Sequence, residues 1–131
     1  MKILVGYTGG TVLDQNVLTL AKQHAKIFNA SIHIATSIEN ELEMELGELE
    51  QIEGKMASLG NEVRHEGIPC ETHVLNRGLT PGEDIVEFAK ENAIDEIFIG
   101  IEKTSKVGKL LFGSNAQHVI LEAPCPVVSL K

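Results

Sequence analysis

Residues 96–114 have the sequence Glu-Ile-Phe-Ile-Gly-Ile-Glu-Lys-Thr-Ser-Lys-Val-Gly-Lys-Leu-Leu-Phe-Gly-Ser. The apolar run at 96–99 predicts a buried strand that stops at Gly100, and Gly113-Ser114 predicts the start of a helix. The loop between these elements carries three of the chain's eleven basic residues, Lys103, Lys106 and Lys109. Glycine lets backbone N–H groups approach an anion closely, and a helix start offers unpaired N–H donors at the positive end of its dipole. This stretch therefore predicts a phosphate-binding loop between a strand and a helix.

Composition places the chain among ordinary globular proteins and argues against two classes of partner. The 131 residues carry a formal charge of −8, with 43% apolar residues and no tryptophan. Nucleic acid and anionic membrane surfaces repel a strongly acidic chain, so neither is expected as a partner. No apolar run approaches the roughly 20 residues of a membrane span, and the N-terminus lacks a secretory pattern. We expect one cytoplasmic domain over residues 1–131, with Cys70 and Cys125 reduced.

Strand-like and helical patterns alternate along the whole chain. Strands are predicted at residues 3–7, 31–38, 71–75, 96–99 and 127–130. Helices are predicted at 14–28, at 39–65, after the cap Thr80-Pro81-Gly82-Glu83, and after a second capping pattern at Ser114-Asn115-Ala116-Gln117. Such alternation is typical of an α/β fold, a doubly wound, five-stranded parallel sheet with helices on both faces. Two strand orders remain open from these residues, 3-2-1-4-5 and the flavodoxin-like 2-1-3-4-5.

Two glycine-rich strand exits indicate where a ligand would bind. Ligands bind doubly wound sheets beyond the carboxyl ends of the strands, where the winding direction reverses. In the 3-2-1-4-5 order that crevice lies between strands 1 and 4. Its rims are then Thr8-Gly9-Gly10 and the segment from Gly100 onward. The agreement between strand order and glycine positions predicts a site at this crevice.

The predicted second helix is unusually acidic. Its apolar residues recur at steps of three and four, at Leu42, Leu46, Leu49, Ile52, Met56, Leu59 and Val63. Its first half carries seven glutamates, which we interpret as a solvated face near a helix start. Gly47, Gly54 and Gly60 weaken the helix, so we expect a break or bend within it.

Three segments and the spacing of one loop carry a family resemblance. The segments are Lys2-Ile3-Leu4-Val5, Thr80-Pro81 and Ala123-Pro124-Cys125-Pro126-Val127-Val128, and the loop runs from Gly100 to Gly113-Ser114. Together they resemble a universal stress protein domain, whose nucleotide loop has the form Gly-x-x-Gly, nine residues, then Gly-Ser/Thr. The resemblance covers essentially the whole chain. It implies the adenine nucleotide alpha hydrolase-like fold, with strand order 3-2-1-4-5.

The resemblance also implies a set of nucleotide-binding positions. In members that bind ATP, the glycine loop holds the phosphates, the end of strand 1 the nucleoside, and backbone near the end of strand 2 the adenine. The corresponding positions are Tyr7, Thr8, Gly9, Ser37, Ile38, Ile99, Gly100, Lys103, Lys106, Gly108, Lys109, Gly113, Ser114 and Asn115. Two depart from the family pattern, because Lys103 replaces the second glycine and Thr8 replaces an acidic residue. Lys103 either fills the phosphate space or adds positive charge to it.

The function implied by the resemblance is that of a small cytoplasmic regulatory protein of the stress response. Such a protein would bind ATP or AMP, with Mg²⁺ as an accompanying ion, and would act on a regulatory protein partner. Family members generally pair as dimers through the last strand, so residues 127–131 are expected to form a homodimer. The departures at Thr8 and Lys103 support an alternative, a nucleotide-free dimeric interaction module of the same family.

The sequence predicts neither catalytic residues nor a metal site. Thr8-Gly9-Gly10 imitates the loop of ATP pyrophosphatases but lacks its Asp-Ser end. Asp14 and Glu102 are the carboxylates near the strand exits, which leaves slow ATP hydrolysis as the most that is expected. The five histidines show no ligand spacing and are interpreted as surface or hydrogen-bonded polar residues.

Overall fold

A computed structural model of the chain contains one five-stranded sheet with helices on both faces. It describes residues 1–39, 41–106 and 109–131, with the backbone alone for 103–106 and 109–112. The strands are β1 (Lys2–Gly6), β2 (Ser31–Ser37), β3 (Cys70–Leu75), β4 (Glu96–Gly100), β5 (Lys103–Lys106), β6 (Lys109–Phe112) and β7 (Val127–Leu130). The helices are α1 (Val12–Phe28), α2 (Glu48–His65), α3 (Pro81–Glu91) and α4 (Ser114–Glu122), with a 3₁₀ turn at Glu41–Glu43. Within the described ranges, no helix is long and apolar enough to cross a membrane.

The strand order is β3-β2-β1-β4-β7, and all neighbours in it are parallel. The five strands of this sheet are those predicted, each within one residue of its expected bounds. The order confirms the 3-2-1-4-5 arrangement and excludes the flavodoxin-like one. The chain winds outward from β1 to β3 on one side and then from β4 to β7 on the other. The direction reverses between β1 and β4, which leaves a crevice at the carboxyl ends of these two strands.

Both faces of the sheet are covered, which explains the continuous apolar runs of its central strands. In β1, Ile3 and Val5 belong to a core cluster with residues of α1 and α2, while Leu4 belongs to a cluster with residues of α3 and α4. All three side chains are fully buried. Successive side chains of a strand point to opposite faces, so a strand covered on both sides is apolar throughout.

Helices α1 and α3 begin with capping boxes built from their own side chains. In α3 the Glu83 N–H donates to the Thr80 hydroxyl oxygen, and the Thr80 N–H donates to the Glu83 carboxylate at 3.0 Å. This confirms the predicted cap. In α1, Thr11 and Asp14 form the same arrangement. Each box satisfies N–H groups that have no partner within the helix.

The capping box predicted at Ser114 is wrong. Helix α4 has Gly113 as its N-cap residue, so Ser114 is already the first helical residue. No side chain among the described residues makes a capping hydrogen bond at this helix start. The Ser-x-x-Gln spacing lies one residue too far along the chain, because the cap position belongs to a glycine.

The helix predicted over residues 39–65 is wrong in its first third. Helix α2 begins only at Glu48, after Gly47 in the left-handed conformation with φ 85°. Leu42 and Leu46 are exposed, although the stripe predicts burial. Glutamates four residues apart in this segment would repel each other in a helix, and glycine adopts a positive φ at little cost. The last four residues of the stripe are confirmed as part of the core cluster, at Ile52, Met56, Leu59 and Val63, while Leu49 is only half-buried.

The segment after β4 is a hairpin, so the predicted loop is also wrong. Strands β5 and β6 pair antiparallel, with Lys103 opposite Phe112 and Lys106 opposite Lys109. Each strand has only four residues, too few for a clear two-residue period to stand out. The register places Lys103 beside the start of α4. Lys106 and Lys109 lie at the other end of the hairpin, roughly 10 Å away at the usual rise per residue.

Both cysteines are free thiols, with Cys70 buried and Cys125 partly buried. Burial raises the pKa of both thiols, that of Cys70 to about 11. The reactive form of cysteine is the thiolate, so neither side chain is activated as a nucleophile at neutral pH.

Candidate functional site

A crevice of about 340 Å³ opens at the carboxyl ends of β1 and β4. Its walls come from the ends of β1, β2 and β4 and from the first turns of α1, α3 and α4. The lining combines apolar side chains, among them Leu13, Ile85 and Ile99, with polar ones from Tyr7, Thr8, Thr36, Ser37, Glu102 and Asn115. A mostly apolar cavity with a few polar groups, placed where the winding reverses, is the usual form of a ligand site in this fold class.

The loop between β1 and α1 binds a carboxylate of the chain itself. Asp14 is 3% exposed, and its Oδ2 atom accepts hydrogen bonds at 2.9–3.3 Å from the N–H groups of Thr8, Gly9, Gly10 and Thr11. The Thr8 hydroxyl donates to the same carboxylate at 3.1 Å. Backbone N–H groups that converge on one point form an anion-binding nest, and the start of α1 adds its dipole. This nest is therefore already filled.

The filled nest changes what Thr8 and Gly9 can offer a ligand. Thr8 lines the crevice, but its hydroxyl proton is engaged with Asp14. Its oxygen can still accept a hydrogen bond, for instance from a ribose hydroxyl. Gly9 is not part of the crevice lining, and its N–H is bound to Asp14.

Helices α3 and α4 meet at their first turns. The Gly82 N–H donates to the Asn115 Oδ1 atom at 2.9 Å. A Cβ atom at Gly82 would lie 2.8 Å from the Asn115 carbonyl oxygen, so the two helices touch through their backbones. Asn115, a predicted nucleotide contact, lines the crevice and also fixes the start of α4 against α3.

The start of α4 differs from the other two helix starts at the crevice. A carboxylate of the chain closes α1 and α3, whereas no described side chain caps α4. A Cβ atom built at Gly113 would meet no heavy atom of the described residues within 4 Å. Gly113 has φ −59° and ψ 145°, which any residue can adopt, so neither strain nor crowding requires glycine here. Open space beside N–H groups without a side-chain cap is what an anion at a helix start needs.

Gly100 shapes the crevice through packing. A Cβ atom at this position would lie 2.7 Å from the Leu13 Cγ atom, which is closer than van der Waals contact allows. Leu13 lies in the first turn of α1 and lines the crevice together with Gly100. The glycine therefore lets α1 approach the end of β4.

A second buried carboxylate, Asp84 of α3, contacts the last residue of β2. Asp84 is fully buried and accepts hydrogen bonds from the Ser37 hydroxyl at 2.5 Å and from the Arg77 Nε–H at 2.9 Å. Arg77 also donates to Glu91 at 2.6 Å. Ser37 lines the crevice, so its hydroxyl proton is used inside the protein while its backbone stays beside the cavity.

The structure brings about half of the predicted positions to the crevice. Those that line it are Tyr7, Thr8, Ser37, Ile99, Gly100, Gly113 and Asn115. Ile38 is in the core at 4% exposure, and Ser114 is exposed but not part of the lining. The backbones of Lys103, Lys106 and Lys109 lie on the hairpin, while their side chains and all of Gly108 lie outside the described residues.

Three residues that sequence reasoning did not assign to the site determine its shape: Leu13, Asp14 and Gly82. Asp14 had a usable signal, since Thr11 and Asp14 have the spacing of a capping box, with Asp in place of the usual Glu or Gln. Leu13 and Gly82 had none. Each is defined by contact with a distant part of the chain.

Tyr7 is a natural reporter of the crevice. It is the chain's single tyrosine, it lines the cavity, and the chain has no tryptophan. Burial raises the pKa of its phenol above the ordinary value of 10, and the charges of Asp14 and Glu62 raise that pKa further. Ultraviolet absorption and fluorescence of tyrosine therefore report on this crevice alone.

The family model described as the universal stress protein family matches residues 1–131. The chain belongs to this family. The matched residues include the strands of the main sheet and the helices that cover it. The match confirms the resemblance carried by the segments at 2–5, 80–81 and 123–128.

Sequence relatives carry the same family name. A universal stress protein of Thermus aquaticus is 38% identical over 65 residues, which cover 50% of this chain and 47% of that protein. A universal stress protein of Mycolicibacterium smegmatis is 31% identical over 78 residues, which cover 60% of this chain and 59% of that protein. The matched segment therefore spans about half the length of these curated relatives.

Two solved structures from Archaeoglobus fulgidus share the fold over the full chain. One universal stress protein is 33% identical, with a TM-score of 0.86 and coverage of 100% of this chain and 98% of its own. A second, solved in complex with dAMP, is 27% identical with a TM-score of 0.80 and the same coverage. The fold is therefore one that solved members of the family have.

Proposed function

We propose that this chain binds an adenine nucleotide in the crevice between β1 and β4, with a phosphate at the start of α4. The contrast between helix starts carries the proposal, because Asp14 closes α1 and Glu83 closes α3 while no described side chain caps α4. A phosphate there would meet the first-turn N–H groups and the positive end of the helix dipole. Lys103, whose backbone pairs with Phe112 next to α4, would add positive charge.

The same geometry suggests where the rest of the nucleotide lies. Tyr7 and Thr8 follow β1 at the crevice and are the proposed nucleoside contacts, with backbone near Ser37 for adenine. The Ser37 hydroxyl already donates to Asp84, so backbone groups rather than this hydroxyl are proposed to bind the base. Lys106 and Lys109, at the end of the hairpin far from α4, are proposed to contact the outer phosphates of ATP, which a monophosphate lacks.

A structural relative supports the choice of an adenine nucleotide. The Archaeoglobus fulgidus protein solved in complex with dAMP shares this fold over the whole chain at 27% identity. That ligand carries one phosphate, and the start of α4 offers one anion site.

We propose a regulatory rather than a catalytic use of the bound nucleotide. A general base must accept a proton from the attacking water. Asp14 is a poor candidate, because four N–H groups and a hydroxyl already donate to its carboxylate. Glu102 is an exposed carboxylate of the lining and is the proposed contact for Mg²⁺ that accompanies ATP. The proposed role in the stress response rests on family membership.

We also propose that β7 pairs two copies of the chain as a homodimer. This strand lies at the edge of the sheet, next to β4. An edge strand presents unpaired backbone groups, which a second copy can pair with around a two-fold axis. Sedimentation equilibrium with and without ATP would measure both the dimer and its response to nucleotide. A monomer at all concentrations would contradict this part of the proposal.

Gly113→Asp tests the phosphate site. The backbone angles and the open space admit an aspartate, whose carboxylate would cap α4 from the position that Thr11 occupies in α1. We expect calorimetry with ATP, ADP and AMP, with and without Mg²⁺, to show affinity at least about tenfold lower, because the phosphate loses its site. The free energy of unfolding should rise by about a few tenths of a kcal/mol, since aspartate is a better cap than glycine.

Gly54→Asp is the matched control for charge. Gly54 is exposed on α2, and a Cβ atom there would meet no heavy atom of the described residues within 4 Å. This variant should bind nucleotide like the parent chain. Equal affinity of Gly113→Asp and the parent would overturn the phosphate site. No binding by the parent would favour the alternative, a nucleotide-free dimeric interaction module.

A further inference from the structure

Two histidines and a glutamate that sequence spacing did not connect meet on one face of the sheet. His33 of β2 lies opposite Glu71 of β3, and His73 follows two residues later on β3. Residues two apart in a strand share a face, and register brings the opposite residue of the neighbouring strand to that face. Phe88 of α3 packs against the His73 ring with centroids 4.6 Å apart, so the cluster lies on the α3 side.

The polar atoms of this cluster form a small triangle. The His33 Nδ1 atom lies 3.1 Å from His73 Nε2 and 3.5 Å from Glu71 Oε2, and the last two atoms are 3.9 Å apart. An ion in the plane of the three atoms would lie roughly 2.05 Å from each, which is a normal bond length from Zn²⁺ to imidazole nitrogen and to carboxylate oxygen. We propose that His33, Glu71 and His73 bind a divalent transition-metal ion of the Zn²⁺ class.

Burial and access suit such a site. The His33 side chain is 12% exposed and that of His73 26%, whereas that of Glu71 is 72% exposed. The two imidazoles therefore form a sheltered pair that meets through its ring nitrogens, with planes 18° and centroids 5.3 Å apart, and the carboxylate reaches solvent. A groove of about 260 Å³ at the start of these strands is lined by Lys2, His33 and Glu71. Three protein ligands leave a coordination position for water, as in open zinc sites.

The donor atoms define the class of ion. Imidazole nitrogen suits Zn²⁺, Ni²⁺ and Cu²⁺, whereas Mg²⁺ and Ca²⁺ prefer shells of oxygen. Without an ion, one proton must lie between His33 Nδ1 and His73 Nε2 to make their close approach favourable. A metal ion would replace that proton. Lys2 lines the same groove and opposes a cation, although its amine donates to the Asn92 carbonyl.

The metal cluster is separate from the nucleotide crevice. His33 precedes Ser37 by four residues on β2, which corresponds to roughly 13 Å along an extended strand. The crevice lies at the carboxyl ends of the strands, whereas the groove beside His33 lies at their amino ends. Metal binding at this cluster therefore does not depend on nucleotide or on the start of α4.

Calorimetric titration of the tag-free, metal-free chain with Zn²⁺ tests the proposal. We expect one ion per chain, and Co²⁺ in its place should give the visible absorption of a four-coordinate nitrogen and oxygen site. Glu71→Gln and His73→Gln should each weaken Zn²⁺ binding at least about tenfold, because each removes a ligand. His65→Gln, an exposed histidine at the end of α2, is the matched control and should bind as the parent does.

The Glu71 variant keeps the test independent of folding, since its side chain is mostly exposed. Weaker Zn²⁺ binding by Glu71→Gln with an unchanged unfolding transition supports the site. Equal binding by both variants and the parent, or no saturable binding by the parent, overturns it and leaves the histidines as a hydrogen-bonded pair. Thiolate charge-transfer absorption with Co²⁺ would place Cys70 in the shell and would also overturn the ligand set. Gly113→Asp should keep full Zn²⁺ affinity, which separates this proposal from the nucleotide site.

Discussion

The starts of α1 and α4 face the same crevice, and each has backbone N–H groups without a partner within its own helix. At α1, Asp14 accepts hydrogen bonds from four N–H groups of the loop that leads into the helix, those of Thr8, Gly9, Gly10 and the cap residue Thr11. At α4 the cap is Gly113, and no described side chain closes the helix. Both are anion sites by their backbone chemistry, but the chain supplies an anion of its own only at the first.

This difference limits what glycine-rich loops reveal. Thr8-Gly9-Gly10 and the Gly100 segment look like equivalent rims in the sequence, yet the first loop closes on a buried aspartate. A glycine-rich strand exit becomes a ligand site only where no nearby carboxylate of the chain reaches it. The distinction depends on one side chain three residues into a helix, and it can be broken by mutation.

Removing the internal anion should have the largest effect. Asp14→Ala removes the buried acceptor shared by four backbone N–H groups and the Thr8 hydroxyl, so the free energy of unfolding measured in urea should fall by about 3–4 kcal/mol. The emptied nest would then resemble the start of α4. Inorganic phosphate should therefore recover part of the lost stability in this variant, and more than it adds to the parent.

Asp95→Ala is the control for this prediction. Asp95 is exposed, and its Oδ2 atom accepts one hydrogen bond, from the Lys2 N–H at 2.7 Å. A loss of about 0.5–1.5 kcal/mol is expected for this single bond. If the two alanine variants lost equal stability, the hydrogen bonds to Asp14 would stabilise the fold no more than the single bond to Asp95. The proposed difference between the starts of α1 and α4 would then be contradicted.

The two glycines that frame the loop spacing should respond differently to alanine. Gly100→Ala places a methyl group 2.7 Å from Leu13, so unfolding free energy should fall by about 1–3 kcal/mol. Gly113→Ala enters open space, and its cost should be about 0.5 kcal/mol, from the weaker cap. Thermal and urea unfolding of both variants measure the difference.

A double variant shows whether the Gly100 effect is steric. Leu13→Ala removes the atoms that the new methyl group would meet, so Gly100→Ala should cost less in that background than in the parent. Equal costs in the two backgrounds would mean that crowding against Leu13 is not the reason for glycine at the end of β4. The distance between α1 and β4 would then need another explanation.

The fold was predictable where burial on both faces of the sheet produces a clear apolar pattern in the sequence. Central strands covered on both faces have continuous apolar runs, which is why each strand of the main sheet lies within one residue of its expected bounds. The strand order came from family resemblance, because alternation of strands and helices is common to both orders. In the acidic segment before Gly47 the leucines have a helical spacing, but Leu42 and Leu46 are exposed and α2 begins only at Glu48. The pattern there was misleading because spacing alone does not show whether a side chain is buried.

The site was predictable only in part, because its shape depends on contacts between distant segments. Gly100 and Gly113 were located by spacing, but the contact of Gly100 with Leu13 and that of Gly82 with Asn115 depend on how distant segments pack. The metal cluster had no signal at all in the sequence. His33 and His73 are forty positions apart, and the strand register that joins them is invisible before the strands are paired.

The smallest expected effect is a shift in the titration of Tyr7. A Cβ atom at Gly10 would lie 3.2 Å from the Tyr7 hydroxyl, so the phenol stands over the filled nest of α1. Burial and then the Asp14 charge raise its pKa above 10, because both disfavour tyrosinate. The folded chain keeps this proton at a pH where the unfolded chain releases it, so Tyr7 contributes less stability as pH rises above 10. Ultraviolet titration should give a midpoint above 10 that Asp14→Ala lowers only in part, since burial is the larger cause. A midpoint that Asp14→Ala leaves unchanged would mean that the phenol does not sense the nest.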